Sequence, residues 1–174
     1  MKIRKAITED AAEIANVHIN SWREAYKGLL PQTFLDDRPL YFKNRYELWK
    51  RVTADQSHAT YVAESDNSGV VGFINGYTAR DKGYEDFAEV YCIYLLQKFH
   101  GQKIGFRLLK IYFDALLEKG YKKGYLWVLK DNPTIRFYES TGAKLVHDIK
   151  KTVIGGLDVE ELCYVWDNIN LDQK

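Results

Sequence analysis

The sequence predicts a mixed α/β protein: a twisted, mostly antiparallel sheet flanked by helices, with one parallel strand pair. Helical spacing of apolar residues prevails between residues 11 and 53, whereas the alternation of strands prevails at 60–77. Apolar strands at 87–96 and 125–129 enclose a helical stretch at 103–119. A strand–helix–strand crossover of this kind is right-handed and places its two strands side by side and parallel.

The N-terminal third is predicted to be mainly helical. A short strand at 2–6 precedes a helix whose apolar positions recur over 11–25, and Gly28 suits the end of that helix. Pro31 fits the first turn of a short helix, and a further helix is expected at 39–53.

The remaining elements follow from turn residues. A turn at 66–69 divides the hairpin at 60–77, and a polar loop at 79–86 precedes the central strand. Asn132 and Pro133 open a short helix that ends at Gly142. Two last strands, at 143–153 and 158–166, are joined by a Gly-Gly turn.

Bulk properties limit the class of protein. With 174 residues, 46% of them apolar, the chain is expected to form a single domain over residues 1–174. A net charge of +1 argues against nucleic acid as a partner, and the lack of a long apolar run argues against a membrane. Cys92 and Cys163 fit buried free thiols, which predicts a cytoplasmic protein.

The stretch from residue 89 to residue 109 is predicted to be a strand, a tight loop and a helix. Its loop is His100-Gly101-Gln102-Lys103-Ile104-Gly105. Such a junction directs free backbone N–H groups and the positive end of a helix dipole at one point, which suits a phosphate. A nucleotide-binding enzyme is a weaker interpretation, because neither GxxxxGK(S/T) nor GxGxxG is present.

At this point the sequence resembles the GCN5-related N-acetyltransferase (GNAT) family. Its phosphate-loop pattern, Gln/Arg-x-x-Gly-x-Gly/Ala, aligns with residues 100–105, where His100 and Lys103 depart from it and Gly105 matches. A second motif is closer, at Asn132-Pro-Thr-Ile-Arg-Phe-Tyr-Glu-Ser-Thr-Gly142. The segment 21–31 is similar to the first helix of many bacterial members.

The resemblance implies acetyl-CoA as cosubstrate and no metal. The loop would hold the pyrophosphate through its backbone, and the Lys103 ammonium either pairs with phosphate or faces solvent. Asn132 would reach the pantetheine arm or act only as a helix cap. The cofactor-binding residues implied are Ile93, Tyr94, Leu95, His100, Gly101, Gln102, Lys103, Ile104, Gly105, Asn132 and Phe137.

Two residues are the catalytic candidates. By resemblance, Tyr138 would protonate the departing thiolate, the alternative being a tyrosine that belongs only to the core. Glu89 would be the general base for the amine, the alternative being a paired or surface glutamate on a strand. His18 lies on an apolar helix face and is expected to be structural, and Cys92 is not expected to carry an acyl group.

The acceptor is expected to be a small-molecule or peptide amine. Aromatic walls for its pocket are predicted from Trp22, Tyr26, Tyr77 and Tyr84. A second hypothesis is a regulatory module of the same fold that holds acyl-CoA without turnover. Exposed strand edges and the C-terminal hairpin leave a homodimer open.

Overall fold

A computed structural model describes residues 1–36, 38–55 and 57–173. The elements follow in the predicted order, and each has the predicted type. The strands are β1 (Lys2–Lys5), β2 (Ala59–Ser65), β3 (Gly69–Thr78), β4 (Phe87–Leu95), β5 (Lys123–Leu129), β6 (Lys144–Ile154) and β7 (Leu157–Trp166). The helices are α1 (Ala11–Ala25), α2 (Gln32–Asp36), α3 (Arg38–Ala54), α4 (Ile104–Leu117) and α5 (Ile135–Ser140).

The strands form one seven-stranded sheet in the order β1-β2-β3-β4-β5-β7-β6. All neighbours are antiparallel except β4 and β5, which are parallel as predicted. That parallel pair is short, running from Phe87 opposite Lys123 to Glu89 opposite Tyr125. Beyond this rung the two strands separate, although β4 continues along β3 and β5 continues along β7.

Helices cover both faces of the sheet. On one face, α4 buries Leu108, Tyr112 and Phe113 against the strands. On the other face, α1 and α3 bury a second cluster that includes Ile14 and Trp49. Burial of two apolar faces makes this a three-layer arrangement, as expected for a mixed sheet.

His18 is structural, as expected. It is buried on α1, and the Trp49 indole donates a hydrogen bond to its Nδ1 at 3.1 Å. Its ring stacks on Tyr94. Burial, followed by the charge of Arg45, lowers the pKa of His18 well below its usual value, so the ring is neutral at physiological pH.

An ion pair between the buried Glu89 and the exposed Arg80 fixes the last rung of the parallel pair. Glu89 is 1% exposed, and its carboxylate accepts hydrogen bonds from the Arg80 side chain, the nearest at 2.5 Å, and from the Tyr125 hydroxyl at 2.8 Å. The Arg80 backbone N–H donates a further bond at 2.9 Å. The carboxylate is thereby compensated, which a buried charge requires.

Gly76 lies where α4 approaches β3 most closely. The β3–β4 register shifts between Asn75 and Gly76, which marks a bulge. Nearby, the Tyr112 hydroxyl donates to the Glu89 backbone carbonyl at 2.6 Å. A Cβ on Gly76 would overlap both of these groups, so glycine is required here by close approach.

Gly76→Ala is therefore expected to destabilise the protein by about 2–3 kcal/mol through overpacking. For a chain of this size that lowers the melting temperature by about 5–10 °C, measurable by thermal unfolding. The control is Gly83→Ala, where φ is +89° but no atom lies within 4 Å of the added Cβ. It should cost only about 1 kcal/mol of backbone strain. Equal losses of stability in both variants would show that steric overlap at Gly76 is not the cause.

None of the helices in the described part of the chain is long and apolar enough to cross a membrane.

Candidate active site

The separation of β4 from β5 opens a cleft of about 1020 Å³ through the sheet. Residues from both strands line it, and so do α1, the loop before α4, and α5. The sheet edge of β4 beyond Glu89 has no strand partner on the β5 side within the described residues. Clefts at the carboxyl ends of separating parallel strands are common ligand sites.

At one end of the cleft the loop before α4 presents backbone donors. None of the N–H groups of residues 101–106 donates to another group of the described chain. The first helical hydrogen bond runs from the Arg107 N–H to the Lys103 carbonyl at 3.0 Å. Free N–H groups at the start of a helix suit an anion, so the predicted phosphate loop has the expected geometry.

Lys103 adopts a backbone conformation that glycine normally occupies. Its φ is +59°, the only positive value for a non-glycine residue in the described chain, and it directly precedes α4. Gly101 in the same loop has φ +75°. The chain path therefore follows the family pattern although the side chain at position 103 does not.

The loop is tied to its surroundings at two points. His100 Nε2 lies 2.9 Å from the Leu95 carbonyl oxygen, which links the loop to the end of β4. A Cβ added to Gly105 would lie 3.5 Å from the Phe137 ring, so α5 packs close to the start of α4. His100, Gly101, Lys103, Ile104 and Gly105 line the cleft, whereas Gln102 does not.

Tyr138 lies on the cleft wall and is buried. No group in the described chain forms a hydrogen bond with its hydroxyl. Burial raises the pKa of Tyr138 above its usual range, with smaller effects from Tyr26 and Cys92. Its phenol therefore keeps its proton at neutral pH, as a general acid must.

Two further wall residues answer questions that the sequence left open. The Asn132 side chain accepts a hydrogen bond from the Thr134 N–H at 2.8 Å, so it caps the start of the α5 region while also lining the cleft. Burial raises the pKa of the Cys92 thiol to about 12. A thiol that stays protonated is a poor nucleophile, which agrees with no acyl-carrier role.

The end of the cleft near α1 has aromatic walls. Trp22 and Tyr26 both line it, as predicted. The Trp22 indole donates to the Tyr94 hydroxyl at 2.7 Å, and the Trp22 and Tyr26 rings meet edge to face. The remaining predicted cofactor residues Ile93, Tyr94, Leu95 and Phe137 also lie on the cleft wall.

Besides Gln102, three predicted site residues lie outside the cleft. Glu89 is held by Arg80 and Tyr125, which corresponds to the paired-glutamate alternative. Tyr77 packs on the α4 side, against Tyr121, because the bulge at Gly76 interrupts the alternation of β3.

Tyr84 is the third. It stacks on Tyr125, and its hydroxyl donates to Asp148 at 2.6 Å instead of facing the cleft. Neither it nor Tyr77 forms an acceptor wall, which corrects the expectation from the sequence.

Glu161 was missed by the sequence reasoning. It lies on β7, lines the cleft, and has neither an ion pair nor a hydrogen bond within the described residues. The Ser21 hydroxyl, on α1, is likewise buried without a hydrogen-bond partner there. Only the alternation of β7 pointed to Glu161, since Cys163, two residues later, is buried on the same face.

The described residues contain no group of three or more His, Cys, Asp or Glu side chains placed to hold a metal ion.

Comparison with known proteins identifies the family. A family model described as "Acetyltransferase (GNAT) family" matches residues 19–143. The chain belongs to this family. Its GNAT fold is the one predicted from the loop at 100–105 and the motif at 132–142.

Relatives and solved structures agree with that assignment. The chain is 30% identical to YuaI of Bacillus subtilis (strain 168), named an uncharacterized N-acetyltransferase, over 97% of this chain and 94% of YuaI. The PaiA N-acetyltransferase of Thermoplasma acidophilum, solved in complex with coenzyme A, superposes with a TM-score of 0.70 at 23% identity, covering 92% of this chain and 96% of PaiA.

A third protein is yncA of Salmonella typhimurium, solved with its cofactor acetyl-CoA. It superposes with a TM-score of 0.69 at 19% identity, covering 95% of this chain and 92% of yncA. At this identity the likeness concerns the fold.

The strain at Lys103 can be measured. Lys103→Gly is expected to stabilise the protein by about 0.5–1 kcal/mol, because relief of left-handed strain exceeds the added entropy of the unfolded chain. The melting temperature should rise by about 1–4 °C. Lys103→Ala is the control: it removes the same ammonium but keeps the strain, so it should give no gain. A gain in both variants would assign the effect to the charge instead.

Proposed function

We propose that this chain transfers an acetyl group from acetyl-CoA to a primary amine by direct attack within a ternary complex. One observation carries the proposal: a single cleft joins the free N–H groups of residues 101–106 to an aromatic pocket at Trp22 and Tyr26, with Tyr138 on its wall. The amine would occupy the aromatic pocket. The solved relatives that contain coenzyme A and acetyl-CoA support the choice of cosubstrate.

Acetyl-CoA supplies an activated acetyl group on a thioester. The loop at 100–105 would hold its pyrophosphate through backbone N–H groups. The free edge of β4 near Ile93 and Leu95 would pair with the amides of the pantetheine arm in the manner of an added strand. A backbone N–H of this edge is also suited to polarise the thioester carbonyl.

The chemical step needs few protein groups. The acceptor nitrogen forms a bond to the acetyl carbon, the carbon–sulfur bond breaks, and its electron pair stays on sulfur. Tyr138 donates its proton to that sulfur and regains one from the acetylated nitrogen. Holding both reactants in one cleft supplies much of the rate. A regulatory module without turnover is not favoured, because the named relatives are acetyltransferases.

Coenzyme A is expected to raise the melting temperature, because it binds the folded cleft and not the unfolded chain. At a concentration of about 100 times Kd the stabilisation is about 2.7 kcal/mol, equivalent to about 5–10 °C here. Differential scanning fluorimetry with CoA, and with adenosine as a control that lacks the pyrophosphate, measures it. An absence of any shift at saturating CoA would refute the proposed function.

Tyr138→Phe is expected to lower kcat by about 100-fold while the KM for acetyl-CoA changes by less than about threefold. The ring remains and only the hydroxyl is lost, so binding of the cosubstrate persists. Steady-state release of CoA thiol measures both constants. Phe137→Leu, which changes the ring that packs beside Gly105 at the start of α4, should instead mainly raise KM. An unchanged kcat in Tyr138→Phe would remove Tyr138 from the mechanism.

A further inference from the structure

Two carboxylates of the described chain line the cleft: Glu24, which accepts a hydrogen bond from a backbone N–H at 2.9 Å, and Glu161. Glu161 lies on β7 directly opposite Leu129 of β5, which also lines the cleft. The side chain is half-buried and has no ion pair or hydrogen bond among the residues that the structure describes. Lys150 lies directly opposite Glu161 on β6, but its ammonium pairs with Asp81 instead, so Glu161 is left without a direct partner in the described chain.

The two cationic side chains near Glu161 are each paired with another carboxylate. Lys150 and Arg80 are the cations that act on Glu161. Lys150 pairs with Asp81 at 2.5 Å, and Arg80 pairs with Glu89 at 2.5 Å. Two cations therefore face three carboxylates, and at neutral pH the group carries one net negative charge that the described chain leaves uncompensated. A bound monocation would neutralise this remaining negative charge.

The walls near Glu161 are apolar and aromatic. Tyr26, directly after α1, lies within electrostatic range of Glu161. The Lys150 ammonium lies 4.2 Å from the centroid of the Trp127 ring, so a cation already covers that face of the indole. The apolar residues that line the cleft and pack together with Tyr26 include Trp22, Leu30, Leu129 and Ile154.

We propose that Glu161 binds the ammonium group of a monocationic primary amine with an apolar body, and takes the proton that this ammonium loses before attack. This deepens the proposed function and rests on it. An ammonium carries three protons. The first passes to Glu161 and then to solvent, the second passes to the Tyr138 oxygen after Tyr138 has protonated the sulfur, and the third stays on the amide product.

The environment of Glu161 suits a base. Burial raises the pKa of Glu161 above its ordinary value of 4.5, and Asp81 adds to this, while Lys150 and Arg80 oppose it. The group accepts a proton only when ionised. The rate should therefore rise with pH through an acid limb whose apparent pKa is above 4.5.

The experiment measures initial rates of CoA release from acetyl-CoA with two probes, 2-phenylethylamine and phenylalanine. The probes share a body, but phenylalanine adds a carboxylate that Glu161 would repel. Wild-type kcat/KM is expected to be at least about tenfold higher for 2-phenylethylamine. Glu161→Gln should lower that kcat/KM by about 100-fold and remove the acid limb, while the CoA-induced melting shift persists.

Two further variants control the result. Glu160→Gln changes the neighbouring glutamate, which instead pairs with Lys130 at 3.0 Å, and should keep kcat/KM within about twofold of wild type. Glu161→Asp keeps a carboxylate on a side chain that is one methylene shorter, so the variant should retain the acid limb of the pH profile at a reduced rate. The CoA-induced melting shift reports whether each variant is folded.

The outcomes separate the two proposals. If Glu161→Gln keeps wild-type kcat/KM and the same pH profile, or if phenylalanine is the better acceptor, the role of Glu161 is wrong while acetyl transfer stands. If wild type acetylates neither probe but CoA still raises the melting temperature, the amine class is wrong. If CoA gives no shift, the proposed function itself fails.

Discussion

The structure depends on the rung at which β4 and β5 stop pairing. Glu89 and Tyr125 occupy that rung, and hydrogen bonds from Arg80 and Tyr125 hold the buried Glu89 carboxylate between the two strands. If the buried Glu89 carboxylate lost one of its donors, the folded state would lose several kcal/mol of stability. The rung is therefore stable only while both Arg80 and Tyr125 are present. Beyond it, β4 follows β3 and β5 follows β7, and the space between them is the cleft.

This constraint decides which carboxylate is available for chemistry. Glu89 has its full set of donors and lies off the cleft, so its charge serves the sheet. Glu161 lies on the cleft wall and has no donor in the described chain. Asp81 and Lys150 extend the same network toward Glu161, since Asp81 also accepts from the Trp127 indole at 2.9 Å. In our proposal the structural carboxylate of Glu89 and the reactive carboxylate of Glu161 are thus neighbours in one charged group, and their roles differ because their partners differ.

Local patterns in the sequence were enough to predict every helix and strand, and also the parallel pair. Strong periodicity, turn glycines and a crossover determine these features over short distances. The side of the sheet on which a residue lies was harder to predict. Tyr77 was predicted to be an aromatic wall of the acceptor pocket, but it packs on the α4 side, beyond a bulge in β3 that the sequence did not reveal. Glu161 could not be found, because β7 inserts between β5 and β6, and this long-range pairing is what places it on the cleft. Tyr138, Trp22 and Tyr26 were found because their neighbours in sequence carried the signal.

In the proposed complex the loop before α4 binds pyrophosphate through its backbone, and this would affect how the protein can evolve. Because the donors at residues 101–106 are peptide N–H groups, replacing one side chain by another removes none of them. Among the twenty amino acids only proline would delete a donor. His100 and Lys103 are therefore free to diverge from the family pattern at the cost of about 1 kcal/mol of backbone strain at position 103. Recognition by the main chain makes this part of the protein robust to point mutation and makes its function hard to detect from residue identities alone.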